Sequence, residues 1–366
     1  MLSVVALSVV SFVGSADCQV DITPLRLDQS HPGRYARSFM GPDSTVHLLG
    51  LFEIIEQGRR VVYSGDKEPS WSGANLSEAI INTFLVRPGL FLGLRATVEP
   101  LGDGKYAGTI WRSTDDLKTV SEERTVVVLP EAGKVDFGSP EIWAGIFFHR
   151  AIVESTDGSL LAAMYGNFEA DSAGPTHPWS KTETKFKLRA YVVRSTDEGK
   201  TWSFLANVAV PDPAVIDDSE GFNEWSICRL EDGRLLGVVR TGHFTPMVLS
   251  WSSDEGRTWT APRPAPELGP AGVDPCLLGL SDGRVALAYG QMVQPTAVKP
   301  GSEGAEPPRD TRRRCCLAIS DDKSGERWSV TEVSGFDNRS AYATIFEVAP
   351  RTILYQADLQ LWRIEY

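Results

Sequence analysis

Cysteine is scarce in this chain of 366 residues, with Cys18, Cys228, Cys276, Cys315 and Cys316 making five. The odd number, the adjacent Cys315-Cys316 and the lack of any CxxC spacing argue against a disulfide framework and a structural zinc centre. Small buried hydrophobes are the expectation instead. Positive charge is also in deficit. Lys and Arg number 36 against 48 Asp and Glu, a net charge of −12, which argues against broad attraction to nucleic acid or anionic membranes. An anionic ligand would need a local cluster of arginines. Long apolar runs are missing too, and the one candidate, LSVVALSVVSFVGSA at residues 2–16, is too short for a membrane span. Its small residues Gly14 and Ala16 fit a secretory signal peptide at 1–16, which implies a secreted or periplasmic protein. No basic residue precedes the run, and its β-branched residues would also suit an edge strand closing a sheet.

The composition itself, 42% hydrophobic and 23% charged with 33 Gly and 23 Pro, is that of a soluble protein with many turns. Its length exceeds what one growing core accommodates, so the chain should divide or repeat. Repetition is visible. Ser252-Ser-Asp-Glu-Gly-Arg-Thr-Trp259 nearly duplicates Ser195-Thr-Asp-Glu-Gly-Lys-Thr-Trp202. The phrase suits a tight turn: the Asp accepts hydrogen bonds from turn amides, the Gly takes a positive φ, and the Trp covers the turn. Worn copies stand at Ser320-Asp-Asp-Lys-Ser-Gly-Glu-Arg-Trp328 and at Ser113-Thr-Asp-Asp-Leu-Lys-Thr-Val120, the latter without Gly and Trp. Four copies predict a blade-by-blade architecture, with the turns acting as staples rather than as a site.

Three hairpins share a second pattern, two apolar strands around Asp-Gly, at 151–165, 226–240 and 276–289. Two more are expected at 48–64 and 344–356. Each blade reads as hairpin, third strand, staple and fourth strand. A sixth blade would come from residues 85–101 or from the N-terminal segment, residues 17–45, part of which would close the last blade. Residues 46–366 form the propeller in this reading. Asn75 to Phe84 is expected to be a short helix in an insertion, with Ile80, Ile81 and Phe84 on one side. The Pro-rich or polar stretches 170–182 and 294–311 are expected to be surface loops.

The staples resemble the Asp boxes of the sialidase superfamily. The resemblance implies an all-β fold, a six-bladed β-propeller of four-stranded antiparallel blades, and covers roughly residues 46–366. It also implies site residues. Tyr342 stands where that family keeps its nucleophilic tyrosine, Glu224 where it keeps the partner glutamate, and Asp103 where its acid/base aspartate precedes the first box. Arg240 and Arg312, the latter best spaced within Arg312-Arg313-Arg314, match arginines that bind the substrate carboxylate. The family's first arginine, in an Arg-Ile-Pro phrase, has no counterpart here. The implied activity is exo-acting, retaining hydrolysis of a terminal sialic acid or related sugar. It needs no cofactor and no metal. A glycan is the expected partner, and the mature chain is expected to be a monomer with no membrane span.

Other readings of the same residues stay open. Tyr342 also suits packing at a propeller mouth, Glu224 with Arg240 a structural ion pair, the arginine run a solvated cluster, and Asp103-Gly104 a plain hairpin turn. His149 and His243, near strand ends, read as satisfied polar residues. A different sugar could be cleaved by two carboxylates, Glu224 with Asp103 or Glu141. A propeller without chemistry could instead bind sugars through Trp71, Trp143, Trp179 or Trp225, aromatic residues that would equally suit burial at blade edges.

Overall fold

Alternation of apolar side chains with period two along short runs dictates strands, and the described residues are almost wholly β. The computed structural model describes residues 20–25, 35–40, 46–51, 58–63, 70–76, 82–87, 89–95, 97–115, 119, 121–130, 146–168, 188–212, 221–241, 245–292, 313–338, 341–357 and 360–366. In chain order the strands are β1 (Asp21–Leu25), β2 (Tyr35–Met40), β3 (Val46–Leu51), β4 (Gly58–Tyr63), β5 (Ser70–Leu76), β6 (Asn82–Arg87), β7 (Leu90–Leu94), β8 (Glu99–Gly102), β9 (Lys105–Ser113) and β10 (Ser121–Val128). Next come β11 (Ile146–Glu154), β12 (Leu160–Gly166), β13 (Arg189–Ser195), β14 (Thr201–Ala209), β15 (Trp225–Arg229), β16 (Leu235–Val239), β17 (Val248–Ser252) and β18 (Arg263–Pro264). The chain continues with β19 (Gly272–Gly279), β20 (Val285–Met292), β21 (Arg313–Ser320), β22 (Trp328–Asn338), β23 (Ala343–Ala349), β24 (Thr352–Ala357) and β25 (Gln360–Glu365). No helix among the described residues is long and apolar enough to cross a membrane.

Four sheets are four-stranded: β2-β3-β4-β5, β15-β16-β17-β18, β19-β20-β21-β22, and β1-β25-β24-β23. In the last, Asp21 of β1 pairs antiparallel with Glu365 of β25. The remaining strands form one nine-stranded sheet, in which the runs β6-β7-β9-β10 and β11-β12-β13-β14 join through a parallel pairing of β10 with β14. All five expected hairpins are present, as β3-β4, β11-β12, β15-β16, β19-β20 and β23-β24.

The helix expected over Asn75 to Phe84 is a correction. Its ends belong to strands, β5 through Leu76 and β6 from Asn82. Asn82 pairs with Leu94 through a turn at Gly89, whose φ is +78. Short apolar runs satisfy helical and strand periodicity alike, and here tertiary pairing with Leu90–Leu94 decides.

Successive sheets lie face to face, which explains why second strands such as β7, β12 and β16 are apolar on both faces. Leu160, Ala162 and Met164 of β12 enter the core shared with β7, β9 and β10, while Leu161 and Ala163 enter the one shared with β15 and β16. Likewise Leu235 and Val239 face backward, and Leu236 and Val238 face the core shared with β20 and β21. Each strand buried on both faces contributes about 1.5–3 kcal/mol per fully buried large aliphatic side chain. Cys228, Cys315 and Cys316 lie buried in these cores outside any disulfide, and Cys276 is half-buried.

The repeated Ser-x-Asp turns sit where the third strand of a sheet ends. Asp254 Oδ1 accepts the amide of Thr258 at 2.8 Å and the hydroxyl of Ser252 at 2.9 Å, and Gly256 N–H donates to Ser252 Oγ at 2.9 Å. Asp197 repeats this with Thr201 and Ser195. Asp115 does so with Thr119 and Ser113, despite lacking the Gly and Trp of the full phrase. In the inserted copy Asp322 is the acceptor, for Ser324 and Gly325. These turns mark one end of the sheets. Ser252 is level with Leu235 and Arg229, whereas Val248 is level with Val239 and Trp225. Strand length alone therefore puts roughly 13–17 Å between the Asp254 turn and the end where Glu224 lies.

Candidate active site

The first strands of the sheets, β6, β11, β15, β19, β23 and β2, touch one another in turn, so residues at their starts converge. Glu224 precedes β15 and Tyr342 precedes β23. Arg240 follows β16, one step beyond the Trp225–Val239 pair, and its N–H donates to the Glu224 carbonyl at 2.9 Å. His149 and Arg150 lie in an irregular stretch of β11 between Phe148 and Ile152, and Asp274 in another of β19 between Val273 and Cys276. Such bulges redirect side chains out of the ladder's alternation. The backbone here is contorted: Ala151 has φ +138, Asp274 +50 and Ala341 +51, conformations that non-glycine residues avoid unless their surroundings enforce them.

The side chains form one network. The Tyr342 hydroxyl donates to Glu224 Oε1 at 2.5 Å. Glu224 Oε2 lies 2.8 Å from Arg240 Nη1 and accepts the Asp274 N–H at 2.9 Å. Asp274 is fully buried; it pairs with the Arg150 guanidinium, and its Oδ1 lies 3.2 Å from His149 Nε2. Arg150 also donates to the Ala343 carbonyl. His149 Nδ1 is 3.0 Å from Trp225 N and 2.9 Å from Trp225 O, so the neutral ring accepts the amide proton and the protonated ring donates to the carbonyl. Arg313 stands over the Tyr342 ring, 5.3 Å from its centroid. Tyr165 stacks on Phe147 and meets His149 edge-on.

Burial first, then the Glu224 carboxylate, raises the Tyr342 phenol above the ordinary tyrosine value, while Arg313 and Arg240 pull against it. The Tyr165 phenol is also raised, by burial and then by Glu224 and Tyr342. Burial opposes a charge on His149, but its hydrogen bond and attraction to Asp274, helped by Glu224, outweigh that and raise its pKa. His149, Glu224 and Asp274 each place a ligand atom within 4.8 Å of the others. Both carboxylates already carry a guanidinium, Arg240 on Glu224 and Arg150 on Asp274, which supplies the counter-charge a cation would bring.

Of the residues expected from the sequence, Tyr342, Glu224 and Arg240 are brought together. Asp103 is exposed at the tip of the β8–β9 turn with φ +51. That turn starts β9, the end away from the Ser113 turn, and thus faces the same way as Glu224. Arg312, Glu141, His243, Trp143 and Trp179 lie outside the described residues, as does the side chain of Trp71. Trp225 takes the buried of its two readings: its indole N–H donates to the Met164 carbonyl at 2.8 Å, and it offers no face to a sugar. Arg150, Asp274 and Tyr165 join the cluster without having been singled out, and from the Arg312-Arg313-Arg314 run it is Arg313 that stands over the tyrosine. A signal existed for the first two, since His149-Arg150 and Asp274-Pro275 interrupt otherwise apolar strands, where buried polar groups require partners.

A family model described as a BNR repeat-like domain matches residues 66–348. The chain belongs to that family. No curated protein matches this BNR repeat-like chain. Its fold is similar to a Dyadobacter fermentans protein of unknown function, with a TM-score of 0.62 and 17% identity over 94% of this chain and 99% of that one. It is also similar to a Hadza microbial sialidase, with a TM-score of 0.56 and 16% identity over 91% of this chain and 65% of the sialidase. A Penicillium chrysogenum alpha-L-arabinanase complexed with arabinobiose gives 0.55 and 13%, over 90% and 92%. At these identities the likeness is one of fold: an all-β assembly of four-stranded antiparallel sheets arranged as in propellers.

Proposed function

We propose that the chain is an exo-acting, retaining glycoside hydrolase on a six-bladed propeller, cleaving a terminal sialic acid or a related acidic sugar from glycans. The observation that carries this reading is the 2.5 Å hydrogen bond from the Tyr342 hydroxyl to Glu224 Oε1, with Arg240 and Arg313 beside it. A sugar with a carboxylate at the reacting carbon repels a carboxylate nucleophile and admits a neutral phenol, the arrangement of tyrosine-dependent sialidases. The raised Tyr342 pKa keeps the phenol protonated at rest. Its proton passes to Glu224 as the oxygen attacks the anomeric carbon and Asp103 protonates the departing oxygen; water then attacks the same carbon, giving its proton to Asp103, while the released phenolate takes its proton back from Glu224. Arg240, Arg312 and Arg313 hold the substrate carboxylate. The glycan substrate lies outside the cell in this reading, reached by an exported monomer.

The test is turnover of fluorogenic aryl sialosides by the purified protein, abolished in Tyr342→Phe. Absence of turnover on every sialoside linkage overturns the sialidase form of the reading.

One observation favours a second reading. Arg240 is engaged on Glu224 rather than aimed past it, which fits an uncharged sugar and two-carboxylate hydrolysis with Glu224 as one partner. Activity that survives Tyr342→Phe and vanishes in Glu224→Gln selects it.

A further inference from the structure

Glu224 is held in place by a residue on another strand whose own conformation is unfavourable. The N–H it accepts belongs to Asp274, and that peptide is oriented by a φ of +50. A residue with a Cβ adopts such a φ only under constraint. The constraint visible here is its side chain, fully buried and paired with Arg150 and His149. Freed of those partners, residues 273–275 could relax toward ordinary strand geometry, which would swing the N–H away from Glu224 Oε2. Arg150 is itself buried, and its other terminal nitrogen donates to the carbonyl of Ala343, the residue after Tyr342, with Thr344 Oγ1 at 3.4 Å. A single guanidinium from β11 thus braces β19, which orients the glutamate, and the start of β23, which the tyrosine directly precedes.

We propose that Arg150 is a positioning residue for the Tyr342–Glu224 couple, acting through Asp274 on the glutamate and through the Ala343 carbonyl on the tyrosine. The proposal rests on the reading of that couple as catalytic. It explains why an arginine stands there: a planar fork fixes two donor directions toward acceptors on different strands, whereas a lysine ammonium is a compact charge that does not fix them.

The experiment compares wild type with Arg150→Lys and Asp274→Asn, each alone and combined with Tyr342→Phe. Near-ultraviolet circular dichroism gives the folded fraction, fluorogenic aryl sialosides give kcat and KM, and Raman spectra, as the difference between each pair, give the Fermi doublet of Tyr342, which reports whether its hydroxyl donates a strong hydrogen bond. A misplacement of reacting groups by about 1 Å costs roughly 10²-fold. Fully folded Arg150→Lys should therefore lose about that factor in kcat, with KM changed by less than about threefold. The Tyr342 doublet should shift away from the strong-donor ratio as its contact with Glu224 loosens. Folded Arg150→Lys with unchanged kcat and an unchanged Tyr342 doublet overturns the proposal. If Arg150→Lys does not fold, Asp274→Asn decides by the same readouts. If wild type hydrolyses no sialoside, the functional reading fails separately. The Raman difference then settles the brace alone, a shift supporting it and its absence overturning it.

Discussion

Glu224 and Arg240 are cross-strand neighbours twice over, joined by a 2.9 Å main-chain hydrogen bond and by a 2.8 Å contact between Oε2 and Nη1. Both side chains are 12% exposed. Breaking a mostly buried ion pair from one side leaves the other charge unpartnered, at about 3–5 kcal/mol. Arg240→Leu should therefore lower stability by that order, whereas Arg240→Leu combined with Glu224→Leu should recover much of it. Chemical denaturation of the single and double variants measures the difference.

The Tyr342–Glu224 hydrogen bond predicts a ranking. On the tyrosine-nucleophile reading, Tyr342→Phe and Glu224→Gln each lower kcat by at least roughly 10²-fold. The fold should be retained in both, since each replacement keeps shape. Steady-state kinetics on one fluorogenic sialoside checks it, and a Tyr342→Phe protein with near wild-type kcat contradicts it.

His149 makes stability depend on pH. Its folded-state pKa is raised above the ordinary histidine value near 6.5. The proton is thus bound more tightly in the folded chain, and the resulting stabilisation is complete below that value and is lost as pH rises through the higher folded pKa. Thermal melts across this range should show the gap between wild type and His149→Gln narrowing toward alkaline pH. A gap that widens there rejects the assignment.

The Ser-x-Asp turns should matter for stability and not for ligand binding, because they sit at the end of the sheets away from Glu224. Asp254→Ala loses the bonds from Thr258 N–H, Thr258 Oγ1 and Ser252 Oγ, at about 1–3 kcal/mol. Asp115 accepts from the equivalent three donors, so Asp115→Ala should cost a similar amount even though its phrase is degraded. Paired melts and ligand titrations test both. Lost binding with unchanged melting would place the turns at the wrong end.

Gly199 predicts a purely structural defect. Its φ is +85, and an added Cβ would lie 2.7 Å from Ile110 Cδ1 and 3.2 Å from the Trp202 ring. Gly199→Ala should cost about 1–3 kcal/mol, with kcat per folded molecule unchanged.

Much of the fold was legible because its rules are local. Asp-Gly between apolar strands specifies a hairpin, and Asp157-Gly158, Asp232-Gly233 and Asp282-Gly283 all form one, with each Gly at positive φ. The Ser-x-Asp phrase likewise encodes its own hydrogen bonds, which is why even Asp115 folds as the others do. The helix expected near Asn75 went wrong where no local rule decides, since only pairing with Leu90–Leu94 makes Asn82–Arg87 a strand. The site was half legible for the same reason. Glu224 and Arg240 are neighbours across one hairpin, and family resemblance pointed to both of them and to Tyr342. Arg150 and Asp274 come from different sheets and meet only because bulges turn them inward, a geometry that neither stretch encodes alone.

The pairing of Asp21 with Glu365 bears on when the molecule can finish folding. Sheets such as β15–β18 draw on one continuous stretch and can assemble as soon as it is synthesised. The β1–β25 pairing joins residues as far apart in sequence as Asp21 and Glu365, so its formation carries the largest loop-closure entropy among the described strand pairings. Non-local contacts of this kind are the slow ones. Until they form, β25 presents an unpaired strand edge, the feature through which β-proteins aggregate. Loss of β1 would therefore leave an otherwise assembled protein with a permanent sticky edge rather than a smaller closed one.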